Sequence, residues 1–201
     1  MKYKIVLSFD DGKKEDCLVW SILNKYKLRG IFYLPNNTDL DVSDIYELSK
    51  KHEIGGHTVS HPSDLKLLSD SRLKGEIEDN KRWLENITGQ KVTKFCYPRG
   101  RHDERVRKAV KDAGYKEART TIVLSTTYPV NKFVTDTTIH FSYPRQEYVG
   151  HDWFELANDY LEKVIRYGGR FEIWGHSREA IQHKVLDKFE KMCSIIASVV
   201  K

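Results

Sequence analysis

The chain has 201 residues, 39% hydrophobic and 31% charged, the balance of a soluble globular protein and enough for one domain over residues 1–201. No window approaches a membrane span and the first apolar run is too short for a signal-peptide core, so a leaderless, cytoplasmic protein is expected. The net charge of +5 is spread out with no basic stripe of interleaved aromatics, which sets nucleic acid aside, and three scattered cysteines (Cys17, Cys96, Cys193) build neither a disulfide framework nor a zinc knuckle.

Short β-rich runs alternate with helical patterns. Residues 4–9 are a predicted strand ending at Asp10-Asp11-Gly12, and 15–26 have helical spacing through Cys17, Leu18, Ile22 and Leu23. Residues 30–34 read as a buried strand stopped by Pro35, 42–51 as a helix capped by Asp41, and 53–57 as a short strand beside the Gly55-Gly56 breaker. A long amphipathic helix is predicted over 69–86, with Leu73, Ile77, Trp83, Leu84 and Ile87 on or near one face. A strand over 92–97 ends at Pro98, a helix over 103–113 is closed by Gly114, and 115–120 form another strand. Residues 121–146, rich in Thr, Tyr and Pro, take no assignment. A helix over 153–167 ends at Gly168-Gly169, 170–174 are the last strand, and 184–199 the closing helix. Repeated strand–helix units predict an α/β fold on a parallel sheet, open or closed into a barrel, with its chemistry at the C-terminal strand ends.

The residues able to do chemistry do fall just after the strands. Asp10 and Asp11 follow the first, His57 and His61 the third, and Tyr97-Pro98-Arg99-Gly100 the next; Arg119 and His176 end the later ones. Alone, the histidine pair reads as ordinary surface or core residues and Asp-Asp-Gly as a capped turn. Together at one rim, Asp11, His57 and His61 form a facial set of one carboxylate and two imidazoles for a single divalent cation, Zn2+ first, with Co2+ or Ni2+ as alternatives. A helix or a tight turn could carry the histidine pair. Neighbouring residues leaving a strand point to different sides, so Asp10 can act as base on a water while Asp11 binds the cation. His176 would then protonate the leaving group from the other side.

Ser8-Phe9-Asp10-Asp11-Gly12, then His57-Thr58-Val59-Ser60-His61, then Tyr97-Pro98-Arg99-Gly100, then Trp174-Gly175-His176-Ser177 resemble, in this order, the motifs of the polysaccharide deacetylase family. This is the NodB-homology group, carbohydrate esterase family 4, and the Trp174–Glu179 ending resembles a small, leaderless branch of it. The resemblance implies a deformed (β/α) barrel of about seven parallel strands and removal of N-acetyl groups from amino sugars. It implies Asp10 as base, Asp11, His57 and His61 as metal ligands and His176 as acid, with a backbone N–H near Arg99 on the oxyanion.

The chain departs from the pattern in two places. The arginine expected in the third motif, which orients the base, falls on Cys96; Arg119 is the candidate substitute, the alternative being an exposed or core-edge arginine. The aspartate–tryptophan pair that supports the acid has only Asp152-Trp153 to match it, at a helix start. Trp174 and Tyr97 either stack on a sugar or pack in the core. His140 reads as core or surface, Glu179 as support for the site or a cap of the next helix, and His52, His102, His151 and His183 as surface. The expected partner is a carbohydrate or another small acetylated or amide substrate, with no obligate protein partner. Ring-opening of a cyclic amide or imide, cleavage of an O-acetyl ester, and a non-catalytic carbohydrate-binding derivative are the competing readings.

Overall fold

The computed structural model describes residues 2–142 and 144–200; Met1, Lys201 and Tyr143 of the unassigned segment lie outside them. Seven strands form one sheet: β1 (Tyr3–Asp10), β2 (Ile31–Leu34), β3 (Glu53–Gly56), β4 (Lys94–Cys96), β5 (Glu117–Arg119), β6 (Ile139–His140) and β7 (Gly169–Gly175). Every pairing is parallel, in the order β5-β4-β3-β2-β1-β7-β6. β2 and most of β1 and β7 are buried runs, as expected for a parallel sheet covered on both faces.

The sheet curls into a deformed, incompletely closed barrel. β5 and β6 do not pair with each other. Instead the segment 132–138, inside the stretch left unassigned from sequence, hydrogen bonds to β5 through Ala118 N–Lys132 O (2.8 Å) and Thr135 N–Ala118 O (3.0 Å), then runs on into β6. Its irregular, threonine-rich chain closes part of the gap with side chain–backbone hydrogen bonds such as Thr138 Oγ1 to Ser125 O (2.7 Å), which explains why no strand periodicity marks it.

The larger helices are α1 (Asp16–Lys25), α2 (Val42–Ser49), α3 (Asp70–Thr88), α4 (Glu104–Asp112), α5 (Trp153–Tyr167) and α7 (Leu186–Val199), with a short α6 (Ser177–Gln182) after β7. Asp41 caps α2 in a reciprocal box with Asp44, and Ser69, Asp103 and Asp152 cap α3, α4 and α5. The 184–199 helix begins later than expected, at Leu186, and α6 was not foreseen. The Gly55-Gly56 pair lies inside β3 rather than beside it: a Cβ at either would meet the Tyr33 or Tyr115 ring. His52 is a correction. It is buried, not on the surface, because its Nδ1 accepts the Gly30 N–H at 3.2 Å below β2 and β3. His102 is half-buried against the Tyr97 ring, while His151 and His183 are exposed.

Candidate active site

Asp11 sits one residue past β1 with φ +77°. Its N–H donates to the Tyr33 carbonyl at 3.2 Å, and the Gly12 carbonyl accepts from Thr38 Oγ1 at 2.5 Å and Asp39 N at 2.9 Å. Gly12 itself has φ +59°, and a Cβ there would collide with Thr38. This turn points the Asp11 carboxylate inward, where Oδ1 lies 3.5 Å from both His57 Nε2 and His61 Nε2. Burial raises the Asp11 pKa, but the His57 hydrogen bond and the neighbouring imidazoles outweigh it and hold the carboxyl well below its usual range.

His57 and His61 lie on a tight turn, not a helix. Thr58 and His61 both have positive φ (+70° and +51°), a strained geometry that clusters at functional sites. Helix α3 holds the turn. Asn80 Oδ1 accepts the His57 N–H (2.9 Å) while its Nδ2 donates to Leu34 O (3.0 Å) and Asn36 Oδ1 (2.8 Å). Glu76 takes Ser60 N at 2.8 Å and Ser60 Oγ at 2.6 Å. Sequence reading missed both residues. The available signal was Asn80 and Glu76 falling in the apolar stripe of Leu73, Ile77 and Leu84, where a buried polar side chain needs a specific partner.

The donor set suits a cation. His57 Nδ1 lies 2.8 Å from the Cys96 carbonyl. A carbonyl only accepts, so Nδ1 donates to it and Nε2 is the ring nitrogen left facing Asp11 and any cation there, the outer support usual for ligating histidine. Asp11, His57 and His61 each offer one ligand atom, all within 4.8 Å of one another. The 3.5 Å spacings are near the ~3.3 Å separation that two bonds of about 2.0–2.1 Å make at a tetrahedral angle. Asp10, His57 and Cys96 are also close together, but Asp10 is already engaged.

Asp10 is buried and both its oxygens accept from Arg119 Nη2, which also lies 3.0 Å from Cys96 Sγ. Cys96 and Arg119 are registered neighbours on β4 and β5. Arg119 therefore reaches Asp10 over the small cysteine. Its guanidinium lies over both the Tyr33 and Trp174 rings, 5.1 and 4.4 Å from their centroids. Arg119 Nη1 donates to Thr120 O (3.0 Å), and Nε lies 3.7 Å from Glu172 Oε1, an ion-pair contact rather than a hydrogen bond. Glu172, itself fully buried, accepts from Ser8 Oγ (2.6 Å) and pairs with Arg170. Burial lowers the Arg119 pKa, but Asp10, Cys96 and Glu172 reverse the effect and keep it firmly cationic.

His176 stands on the other side of Asp11, with Nε2 3.8 Å from Asp11 Oδ2 and Nδ1 3.0 Å from Glu179 Oε2. Burial opposes its charge, yet the Glu179 carboxylate and the charges of Asp10 and Asp11 push its pKa up to about 9; a cation at Asp11 would offset part of this. Glu179 also accepts from Ser142 Oγ (3.1 Å) and lies 3.4 Å from His140 Nε2. Asp152-Trp153 takes no part in this cluster: Asp152 caps α5 through Phe154 N (2.9 Å) and pairs with Lys188. Tyr97 and Trp174 are buried; Tyr97 donates its hydroxyl to Phe133 O (3.1 Å). Neither is an exposed sugar platform. Pro98 opens a single 3-10 turn in which Arg99 is exposed with φ +56°. A cavity of about 110 Å³ beside the carboxylate is lined by Asp11, Lys13, Pro35, Asn37 and His61.

The fold and rim define an incompletely closed parallel α/β barrel with a candidate cation site at its C-terminal strand ends, and comparison with known proteins places the chain. The polysaccharide deacetylase sequence model matches residues 2–118, more than half the chain, and the chain belongs to that family. It is 26% identical over 124 residues to YxkH of Bacillus subtilis (strain 168), whose name assigns it provisionally to the polysaccharide deacetylases. The match covers 58% of this chain and 44% of YxkH, so the chain spans less than half the length of that relative. Among solved structures, the family 4 carbohydrate esterase from Streptomyces lividans in complex with acetate superposes with TM-score 0.66 at 14% identity, covering 97% of this chain and 90% of that one. The family 4 pseudoenzyme BA3943 from Bacillus anthracis superposes with TM-score 0.62 at 17% identity, over 95% and 60% of the two chains. Among the described residues, no helix is long and apolar enough to cross a membrane.

Proposed function

We propose that the chain is a metal-dependent hydrolase that removes the acetyl group from an N-acetylated amino sugar, free or within an oligosaccharide. The observation that carries this reading is the Asp11 carboxylate flanked by two imidazole Nε2 atoms at 3.5 Å, with Asp10 held separately by Arg119. Asp11, His57 and His61 would hold the cation, Zn2+ first. When bound there, the cation supplies a Lewis acid and brings the pKa of a coordinated water to about 7.

The chain's own groups supply the rest. Asp10 accepts the proton of the attacking water at a carboxylate oxygen, and Arg119 holds that carboxylate in place. His176, on the opposite side, gives the proton at Nε2 to the departing amine nitrogen, while Glu179 faces Nδ1. Water adds to the acetyl carbonyl, the C–N bond breaks, and acetate and a free amine leave. A backbone N–H in the Tyr97–Gly100 turn would hold the oxyanion. The cavity beside Asp11 suits a small acyl group, with Lys13 and Asn37 placed for sugar hydroxyls.

Family membership supports the reaction class, and the acetate in the Streptomyces lividans structure belongs to that protein. The pseudoenzyme neighbour makes turnover itself worth measuring. The test is acetate release from N-acetylated mono- and oligosaccharides by chelator-stripped protein resupplied with zinc or cobalt. Metal-restored release is expected. No release from any member, with one ion tightly bound, moves the assignment to a cyclic amide or an ester.

A further inference from the structure

A second group of possible ligands lies across the rim. His140 ends β6, His176 follows β7 and Glu179 lies in α6. One oxygen, Glu179 Oε2, is 3.4 Å from His140 Nε2 and 3.0 Å from His176 Nδ1, and one ligand atom from each residue lies within 4.8 Å of the others. These spacings bracket the ~3.3 Å expected between two nitrogen or oxygen ligands of a tetrahedral zinc ion. Ser142 Oγ donates to the same carboxylate at 3.1 Å, the kind of outer contact that orients a ligating carboxylate. His140 is fully buried while His176 and Glu179 are half-exposed, so the set is built below the rim and open on one side.

We propose that His140, His176 and Glu179 form a second, weaker divalent-cation site whose occupation inhibits the enzyme. The inhibitory half rests on the proposed role of His176. A cation on Nδ1 displaces the proton there and leaves the Nε2 proton as the only N–H of a neutral ring. Giving up that proton would create an imidazolate, so the ring no longer serves as an acid near neutral pH. Asp11, His57 and His61 use none of the same donor atoms, so each site can be removed by substitution without deleting a ligand of the other.

The test is a calorimetric titration of chelator-stripped protein with Zn2+, run beside acetate release at rising free zinc. Wild type should bind two ions, the tighter one activating and the weaker one inhibiting. His61→Ala should keep only the weaker event. His140→Phe, and the half-exposed Glu179→Gln as a variant less exposed to folding defects, should keep only the tighter one. Loss of even an outer-shell partner weakens a metal about 10–100-fold, so the second event should weaken by at least about 100-fold in either variant. One ion in wild type and none in His61→Ala overturns the proposal, as does a second ion unaffected by both His140→Phe and Glu179→Gln. An ion retained by His61→Ala with none bound by Glu179→Gln would instead overturn the first site and leave the second standing.

Discussion

The rim over β1 to β4 draws its chemical groups from short contiguous runs, whereas the rim over β5 to β7 gathers them from residues far apart in sequence. In the first region Asp10 and Asp11 are adjacent, His57 and His61 share one turn, and strained backbone aims them: Asp11, Thr58, His61 and Arg99 all have positive φ. In the second, Arg119, His140 and Glu172 occupy ordinary strand positions and Glu179 an ordinary helical one. The family sequence model stops at residue 118, one residue before Arg119. A tight turn stores a site in local sequence; side chains on regular strands store it in register, which only the folded sheet reveals.

The sharpest way to break this contrast is at Arg119. Arg119→Ala leaves Asp10 as an uncompensated buried carboxylate, while Glu172 keeps Arg170 and Ser8, and breaking a buried pair costs about 3–5 kcal/mol. Urea unfolding should show a loss of that order, and acetate release should vanish. Adding Cys96→Arg restores a guanidinium from the registered position on β4 and should recover part of both. A stable, active Arg119→Ala would remove Arg119 from the account. Asn80→Ala tests the first region's dependence on α3. It strands the His57 N–H and the Leu34 carbonyl, at a cost of about 1–3 kcal/mol, and should weaken metal binding along with stability.

The smallest expected effect lies at the seam. Asp16 on α1 is buried and accepts from Ser177 on α6. Burial, helped by the charges of Asp10 and Asp11, lifts its pKa from 3.8 to about 7 against the lowering effect of the Ser177 hydrogen bond. Because the folded-state value is raised, its favourable contribution is complete below about 3.8 and is lost as pH climbs through about 7. In metal-stripped protein, Asp16→Asn should therefore be more stable than wild type at pH 8, with the gain fading towards pH 4. An equal difference at both pH values would show that Asp16 does not titrate as its burial implies.

Much of the fold was legible because parallel strands are continuous apolar runs and capped helices announce their ends, as Asp41 and Gly114 do. Segment 121–146 was not, because its closure rests on threonine hydroxyls and irregular pairing rather than periodicity. In the site, the metal-ligand candidates were readable from their motifs, while the strand-end position of Arg119 left open whether it reaches Asp10 or lies at the core edge, and the folded sheet brings it to Asp10. Glu172 and Asn80 were opaque: their partners lie 164 and 23 residues away. Trp174 was readable as an aromatic but not as a cover for the Arg119 guanidinium, since that contact joins β5 to β7 across the barrel interior.

The most direct measurement compares tightly bound metal and acetate release in Asp10→Asn and Asp11→Ala. Asp10→Asn should keep the tight ion and release no acetate, while Asp11→Ala should lose both. An Asp10→Asn protein that turns over at the wild-type rate, or an Asp11→Ala protein that keeps its tight ion, would contradict the division of labour between the two carboxylates.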